Sequence, residues 1–206
     1  PLKNNSFLIV SFNNGLKDYR NNGFDVFEKN KELTLYQTLE SINYAKDDSN
    51  ISGIILNLDN SSLSFSQIEE INKSLLNFKK SNKPIFAYGN SFNKNNYLIG
   101  IYADKIYMNP AASTNFSLDG FNINVPYYKE LTSKIGVEFQ VLHIGNYKSY
   151  GENFVKSEMS QEFKNQYFSL LQGRKNYFVS EISSKRKIEL VKFENDFLNG
   201  KYLYFN

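Results

Sequence analysis

Lys148 is the residue of this chain whose type and surroundings best fit a chemical role. It follows the apolar run from Phe139 to Ile144 and is flanked by small and aromatic residues in the segment Ile144 to Tyr150. An apolar run of this length predicts a core strand, which would place the lysine at the mouth of a sheet. Burial there would disfavour the charged ammonium, lower its pKa and make the neutral amine available as a general base.

A lysine base of this kind pairs with a serine nucleophile. The amine takes the proton of the hydroxyl, the oxygen attacks an acyl carbon, and backbone amides stabilise the oxyanion. Bringing the pKa of a lysine from about 10.4 to ~7 to 8 requires roughly 3 to 4 kcal/mol of differential desolvation, which burial against a partner surface would supply. The alternative is that Lys148 is one more exposed or salt-bridged side chain among 24 lysines and arginines.

Other chemistries are disfavoured by residue counts. Cysteine is absent and His143 is the only histidine, so a zinc site of histidine and cysteine is excluded. His143 lies in an apolar run, which favours a strand residue bonded to backbone over a member of a catalytic triad. No glycine-rich phosphate loop is present, and carboxylates such as Glu69 and Glu70 fall on an exposed helix face. We therefore expect neither a metal nor a cofactor.

The composition predicts one globular domain over residues 1–206. A hydrophobic share of 41% can form one sizeable core, and a net charge of +3 from charges spread along the chain argues against a nucleic-acid surface. The basic cluster 185–187 fits the end of a helix. No apolar run reaches the ~18 residues of a membrane span. The chain starts at Pro1 rather than Met, so we expect it to be cut from a longer protein.

The elements that would position this lysine are alternating strands and helices. Capping boxes are predicted at Thr34 with Gln37 and at Ser64 with Gln67, each followed by apolar residues at helical spacing. Alternation of this kind predicts a parallel sheet with covering helices, and the polar segment 13–30 is predicted to be a loop. The predicted strands are 7–12, 53–58, 84–88, 105–108 and 137–144. The predicted helices are one after the Thr34 cap that ends at the charged run 46–48, one after the Ser64 cap with an apolar face of Ile68, Ile71, Leu75 and Phe78, then 95–103, 126–135 and a long one from Ser160.

Several short motifs occur along the chain in an informative order. The most specific runs from Gly145 to Ser149 and is followed by Glu152, Phe154 and Met159-Ser160. The others are Ala45 to Asp48, Ile51 to Ile54, Lys83-Pro84, Ala103 to Tyr107, Asn109-Pro110 and Tyr127 to Lys129. In this order and spacing, over nearly the whole chain, they resemble the signal peptide peptidase A or protease IV family of serine peptidases.

The resemblance implies that Lys148 is the general base. Ser149 lies next to Lys148, and we expect it to orient the lysine or a backbone group rather than to attack. Complete members of the family have the nucleophilic serine just before Gly-Gly-Tyr, whereas the matching stretch here is 94–97 and has no serine. The Gly-Gly pair of the oxyanion hole is replaced by residues 60–62. Ser91 lies near the missing nucleophile but lacks the following glycines, which favours a turn or cap role.

These departures resemble the long, two-domain form of the family, whose first half provides the lysine and whose second half provides the serine. Residues 1–206 would then be the amino-terminal half, with a ClpP/crotonase-like spiral of βαβ units, a mainly parallel sheet and a long C-terminal helix. The implied activity is degradation of cleaved signal peptides at the extracytoplasmic side of the bacterial cell membrane, with the anchor outside this chain. The expected partners are the serine-bearing half, further copies in a homo-oligomer, and peptide substrates.

Two other interpretations stay open. The chain could be a non-catalytic family member that serves as an assembly scaffold, or a crotonase-like protein that binds acyl-CoA. The absence of glycine-framed oxyanion amides argues against the second. Tyr97 and Tyr147 are candidates for lining a substrate groove, with a place in the aromatic core as the alternative.

Overall fold

The computed structural model describes residues 3–12, 15–18, 33–59, 61–111, 115–142, 144–145 and 147–203. These residues group into two compact units, where the sequence predicts one domain. The first unit is Pro1–Asp119 with Glu181–Asn206, and the second unit is Gly120–Ser180. The prediction that the chain is the first half of a longer peptidase concerns residues beyond it and stays a prediction.

Strands and helices alternate through the first unit, and helices dominate the second. The strands are β1 Ser6–Ser11, β2 Ile51–Asn57, β3 Ile85–Gly89, β4 Phe92–Asn93, β5 Lys105–Met108 and β6 Phe116–Ser117. The helices are α1 Leu35–Asp47, α2 Phe65–Phe78, α3 Lys94–Gly100, α4 Lys129–Lys134, α5 Glu152–Val155, α6 Gln161–Arg186 and α7 Leu190–Leu198.

Four parallel strands form the main sheet of the first unit, in the order β1-β2-β3-β5. In β2, Ile54 lies opposite Leu8 of β1 and Ile85 of β3, and both Ile54 and Leu56 are buried. Parallel neighbours require crossover connections, and α1, α2 and α3 occupy these connections. The predicted α/β class with a mainly parallel sheet is confirmed.

Both predicted capping boxes are present. The Gln37 N–H donates to Thr34 Oγ1 at 3.2 Å, and the Gln67 N–H donates to Ser64 Oγ at 3.3 Å, with the reciprocal bonds also formed. Each box satisfies backbone donors that the first turn of a helix leaves free. The predicted apolar face of α2 is buried throughout, at Ile68, Ile71, Leu75 and Phe78.

The predicted strand 137–144 is wrong. Residues 137–142 are in no strand, and Leu142 and Ile144 are 87% and 91% exposed. A strand requires a backbone partner, and no described strand pairs with this segment, so apolar sequence alone does not make it a strand. His143 lies outside the described residues, as does most of the predicted loop 13–30.

The long helix predicted from Ser160 is present as α6, which has 26 residues and carries Lys185 and Arg186 in its last turn. Phe178 and Ile182 lie on its buried face, as predicted from their spacing. The helix predicted at 126–135 is shorter and is limited to α4. Within the part of the chain that the structure describes, no helix combines the length and apolar character needed to cross a membrane.

Asp104 links the end of α2 to the start of β3 in the first unit. Its Oδ1 accepts a hydrogen bond from Lys79 Nζ at 2.8 Å, and its Oδ2 accepts one from the N–H of buried Ile85 at 2.8 Å. Burial opposes ionisation of the carboxyl, but the bonds from Lys79 and Ile85 and the charge of Lys79 outweigh it. The pKa of Asp104 is therefore lowered.

We expect Asp104→Ala to lower the free energy of unfolding by about 1 to 2 kcal/mol, because the Ile85 N–H loses its acceptor while the ion pair itself is screened by solvent. The contribution is present above the ordinary carboxyl pKa and is lost as pH falls through the lowered folded value. Urea unfolding of the variant measures the loss, and Asp47→Ala is the control because its carboxylate is 81% exposed. Equal loss in both variants would contradict this role of Asp104.

Candidate active site

Lys148 lies in a turn of the second unit, within what we name the lysine loop: residues 144–145 and 147–151. The Lys148 N–H donates to the Gly145 carbonyl at 3.3 Å. Gly145 and Gly151 have φ values of +92° and +83°, in the region that favours glycine. The lysine is exposed, so its predicted burial at the end of a core strand is wrong for the described residues.

Apolar side chains surround the amine. A shallow cavity of about 610 Å³ is lined by Val141, Leu142, Ile144, Lys148 and Tyr150. Tyr150 is 96% exposed. Within the described ranges, the Lys148 ammonium has no ion pair or hydrogen bond. The lysine is therefore open to solvent and lies beside apolar side chains.

One side chain of helix α6 bonds to the residues on both sides of Lys148, to the backbone of Tyr147 and to the side chain of Ser149. Gln166 Nε2 donates to the carbonyl of Tyr147 at 2.9 Å, and the Ser149 hydroxyl donates to Gln166 Oε1 at 3.5 Å. Sequence reasoning missed Gln166, because a glutamine on the polar face of a helix carries no signal that it contacts a distant loop. Tyr147 itself is exposed and does not belong to the core.

Glu152 is a buried carboxylate that ties the end of the lysine loop to the start of α6. Its N–H donates to the Ser149 carbonyl at 3.0 Å. Its carboxylate accepts from the Ser160 N–H at 2.6 Å and from the Ser160 hydroxyl at 2.5 Å. The Tyr127 hydroxyl donates to it at 3.3 Å, and Lys156 Nζ lies 3.5 Å away. Ser160 in turn accepts from the first turn of α6, so the carboxylate fixes that turn.

The charge state of this network follows from its contacts. Burial would raise the pKa of Glu152, but the bonds from Ser160 and the charge of Lys156 outweigh burial and lower it. Burial, together with the Glu152 carboxylate, raises the pKa of Tyr127 to about 12. Near neutral pH, Glu152 is therefore an ionised acceptor and Tyr127 a neutral donor. Glu152 and Ser160 belong to the motifs quoted above, but their contact is visible only in the structure.

An amide-lined cleft of about 360 Å³ lies beyond the carboxyl ends of β2 and β3 in the first unit. The Asp59 carboxylate accepts from the Asn90 N–H at 2.5 Å and from the Asn90 side chain at 2.6 Å. Asn96 is buried, and its amide donates to the carbonyls of Leu58 and Ser91. This is the stretch in which the sequence locates the missing nucleophile, and amide side chains fix its loops.

Capping residues occupy the start of α3, where the sequence has no serine. Asn93 and Asn96 form a reciprocal capping box, in which Asn96 Oδ1 accepts from the Asn93 N–H at 2.7 Å. Ser91 Oγ accepts from the Asn115 N–H at 3.3 Å, as a turn residue would. Tyr97 is half-buried in the first unit and packs edge-on against Phe92 and Phe116.

In the ranges that the structure describes, no three His, Cys, Asp or Glu side chains lie close enough together to bind a metal ion. The group that can take part in acid–base chemistry here is the Lys148 amine, on a turn that is hydrogen-bonded to α6.

Comparison with known proteins points to one family. The sequence profile of peptidase family S49 matches residues 77–199, a range that contains the lysine loop, Glu152 and Gln166. The chain is 37% identical over 131 residues to Protease 4 of Salmonella typhi, which covers 63% of this chain and 21% of that protein. It is 28% identical over 160 residues to Protease 4 of Haemophilus influenzae, with 77% and 26% covered.

A plant relative gives the same result. The chain is 30% identical over 174 residues to the chloroplastic serine protease SPPA of Arabidopsis thaliana, which covers 81% of this chain and 25% of that protein. The chain thus spans about a quarter or less of the length of these curated relatives.

We expect Glu152→Ala to lower the free energy of unfolding by about 1 to 3 kcal/mol, because two Ser160 donors lose their acceptor. Glu158→Ala is the matched control, since Glu158 lies a few residues further along, between α5 and α6, and is exposed. Urea unfolding followed by circular dichroism compares the two variants with the unsubstituted chain. Equal losses in both variants would show that the Glu152 contacts contribute nothing specific.

The same comparison has a predicted pH dependence. The folded pKa of Glu152 is lowered, so its stabilisation is present above the ordinary carboxyl value of 4.5 and is lost as pH falls through the lowered folded pKa. The difference in stability between the unsubstituted chain and Glu152→Ala should be largest near neutral pH and shrink on acidification. A difference that does not change with pH would contradict an ionised Glu152.

Proposed function

Because the chain belongs to peptidase family S49, we propose that Lys148 is the general base of a serine endopeptidase whose nucleophilic serine lies outside this chain. The observation that carries the proposal is the lysine loop: Gln166 bonds to its turn, and the Lys148 side chain lines a cavity with apolar residues and has no partner among the described residues. The relatives named above are proteases by name, and one is named a serine protease.

The chemistry needs the neutral amine. The Lys148 amine takes the proton of the serine hydroxyl as the serine oxygen attacks the peptide carbonyl, and the resulting ammonium then protonates the leaving amine. Water attacks the acyl-enzyme in the second half, with the same amine as base. A partner surface that covers Leu142, Ile144 and Tyr150 would remove water from the amine, and desolvation favours its neutral form.

The partner in this proposal is the serine-bearing half of the same polypeptide. Two facts support it: residues 94–97 contain no serine, and the chain spans about a quarter of the length of its relatives. The proposal extends to a homo-oligomer associated with the bacterial cell membrane, with an anchor outside this chain. The apolar lining around Lys148 suits cleaved signal peptides on the extracytoplasmic side as substrates, with Ser149 orienting the loop.

An assembly scaffold is the second candidate. The amide-lined cleft favours it, because capping amides occupy the stretch where complete members of the family carry the serine. A scaffold would use the same apolar surface around Lys148 to bind its partner half without hydrolysing peptides. The acyl-CoA alternative has no comparable support.

The decisive experiment measures turnover of a fluorogenic apolar peptide by this chain alone, by the natural full-length protein and by its Lys148→Ala variant. We expect activity only in the full-length protein, and a fall in kcat of roughly 100- to 10,000-fold in Lys148→Ala through loss of the general base. Lys164→Ala, which removes an exposed lysine of α6, is the matched control.

The outcomes separate the candidates. Undiminished turnover in Lys148→Ala would refute the role of Lys148 as base. Absence of turnover in every form, with the full-length protein folded, would favour the scaffold.

A further inference from the structure

One side chain of α6 bridges the residues immediately before and after Lys148. The amide of Gln166 donates to the Tyr147 carbonyl at 2.9 Å and accepts from the Ser149 hydroxyl at 3.5 Å. The shorter bond is to main chain, so it constrains the backbone of the loop whatever the exposed Tyr147 ring does. Gln166 is itself exposed and has no part in the core.

The start of α6, the helix that carries Gln166, is itself held by hydrogen bonds. Gln166 lies about one and a half turns into α6, whose first turn is held by Ser160 and the buried Glu152 carboxylate. Glu152 also bonds the Ser149 carbonyl through its N–H at 3.0 Å. The backbone carbonyls on the two sides of Lys148 are thus both held, through Gln166 and Glu152, by groups that contact the start of α6.

We infer that Gln166 is a positioning residue that sets the direction in which the Lys148 amine leaves its turn. The inference rests on the proposed role of Lys148 as general base. A base must lie within hydrogen-bond reach of the proton that it takes, and a misplacement of ~1 Å can reduce turnover by up to about 100-fold. Gly145 and Gly151, both with positive φ, lie on either side of the lysine, and the hydrogen bonds to α6 hold the turn between them.

The test uses the full-length protein and the apolar peptide substrate. We expect Gln166→Ala to lower kcat by about 10- to 100-fold, with KM and the melting temperature nearly unchanged, because Gln166 is exposed and alanine favours helix. Gln161→Ala is the matched control: it removes the same side chain from the same helix, where, among the described residues, its amide bonds Asn165 at 2.9 Å and nothing in the lysine loop. Gln161→Ala should leave kcat unchanged.

Two further variants test the mechanism. Gln166→Glu keeps an acceptor for Ser149 but loses the donor to the Tyr147 carbonyl, and it should therefore be as impaired as Gln166→Ala. In the Lys148→Ala background, Gln166→Ala should cause no additional loss, because a residue that acts only through Lys148 has nothing left to position.

The inference and the proposed function fail in different ways. Normal kcat in Gln166→Ala, with activity lost in Lys148→Ala, would overturn the positioning role and leave the base assignment intact. A protein that keeps its activity in Lys148→Ala would overturn the base assignment. Trypsin cleavage after Lys148 gives a readout that does not depend on the protein's own peptidase activity. The Gln166→Ala variant should be cut there faster than the Gln161→Ala variant. Equal cleavage rates would refute the holding of the lysine loop by Gln166, whatever the kcat values of the two variants.

Discussion

Parallel pairing of β2 with β1 and β3 is the constraint on which the first unit depends. A parallel neighbour can be reached only through a crossover, and α1, α2 and α3 lie in the connections between successive strands of the main sheet. All strands then end at the same edge, where loops meet. The amide-lined cleft lies there, and its position follows from the topology rather than from any one residue.

In the part of the second unit that the structure describes there is no such sheet, and hydrogen bonds from α6 and Glu152 hold the lysine loop instead. A buried carboxylate, Glu152, orders the start of α6, and α6 then holds the lysine loop through Gln166. Such an arrangement is ordered without burying the lysine. It fixes the backbone around Lys148 while leaving the amine and its apolar neighbours open to solvent.

Most of the elements of the first unit could be predicted from local signals in the sequence. The capping boxes at Thr34 and Ser64 and the buried face of α2 depend only on residues within one helix, and all were predictable. Segment 137–144 was predicted as a strand, and its described residues are in none, because strand formation depends on a partner that the sequence of the segment does not specify. The contacts of Gln166 and Glu152 were missed for the same reason, since they join residues without periodic spacing.

Under the proposed function, the exposure of Lys148 and the absence of a serine at 94–97 have one explanation, a partner surface that docks on the lysine loop. A lysine becomes a base by losing water, and a turn rimmed with exposed apolar side chains can lose water only when another surface covers it. If the same surface carries the nucleophile, docking both desolvates the amine and brings the hydroxyl to it. The half that holds the lysine then needs a rigid loop and no core strand, because the partner provides the burial and α6 provides the position.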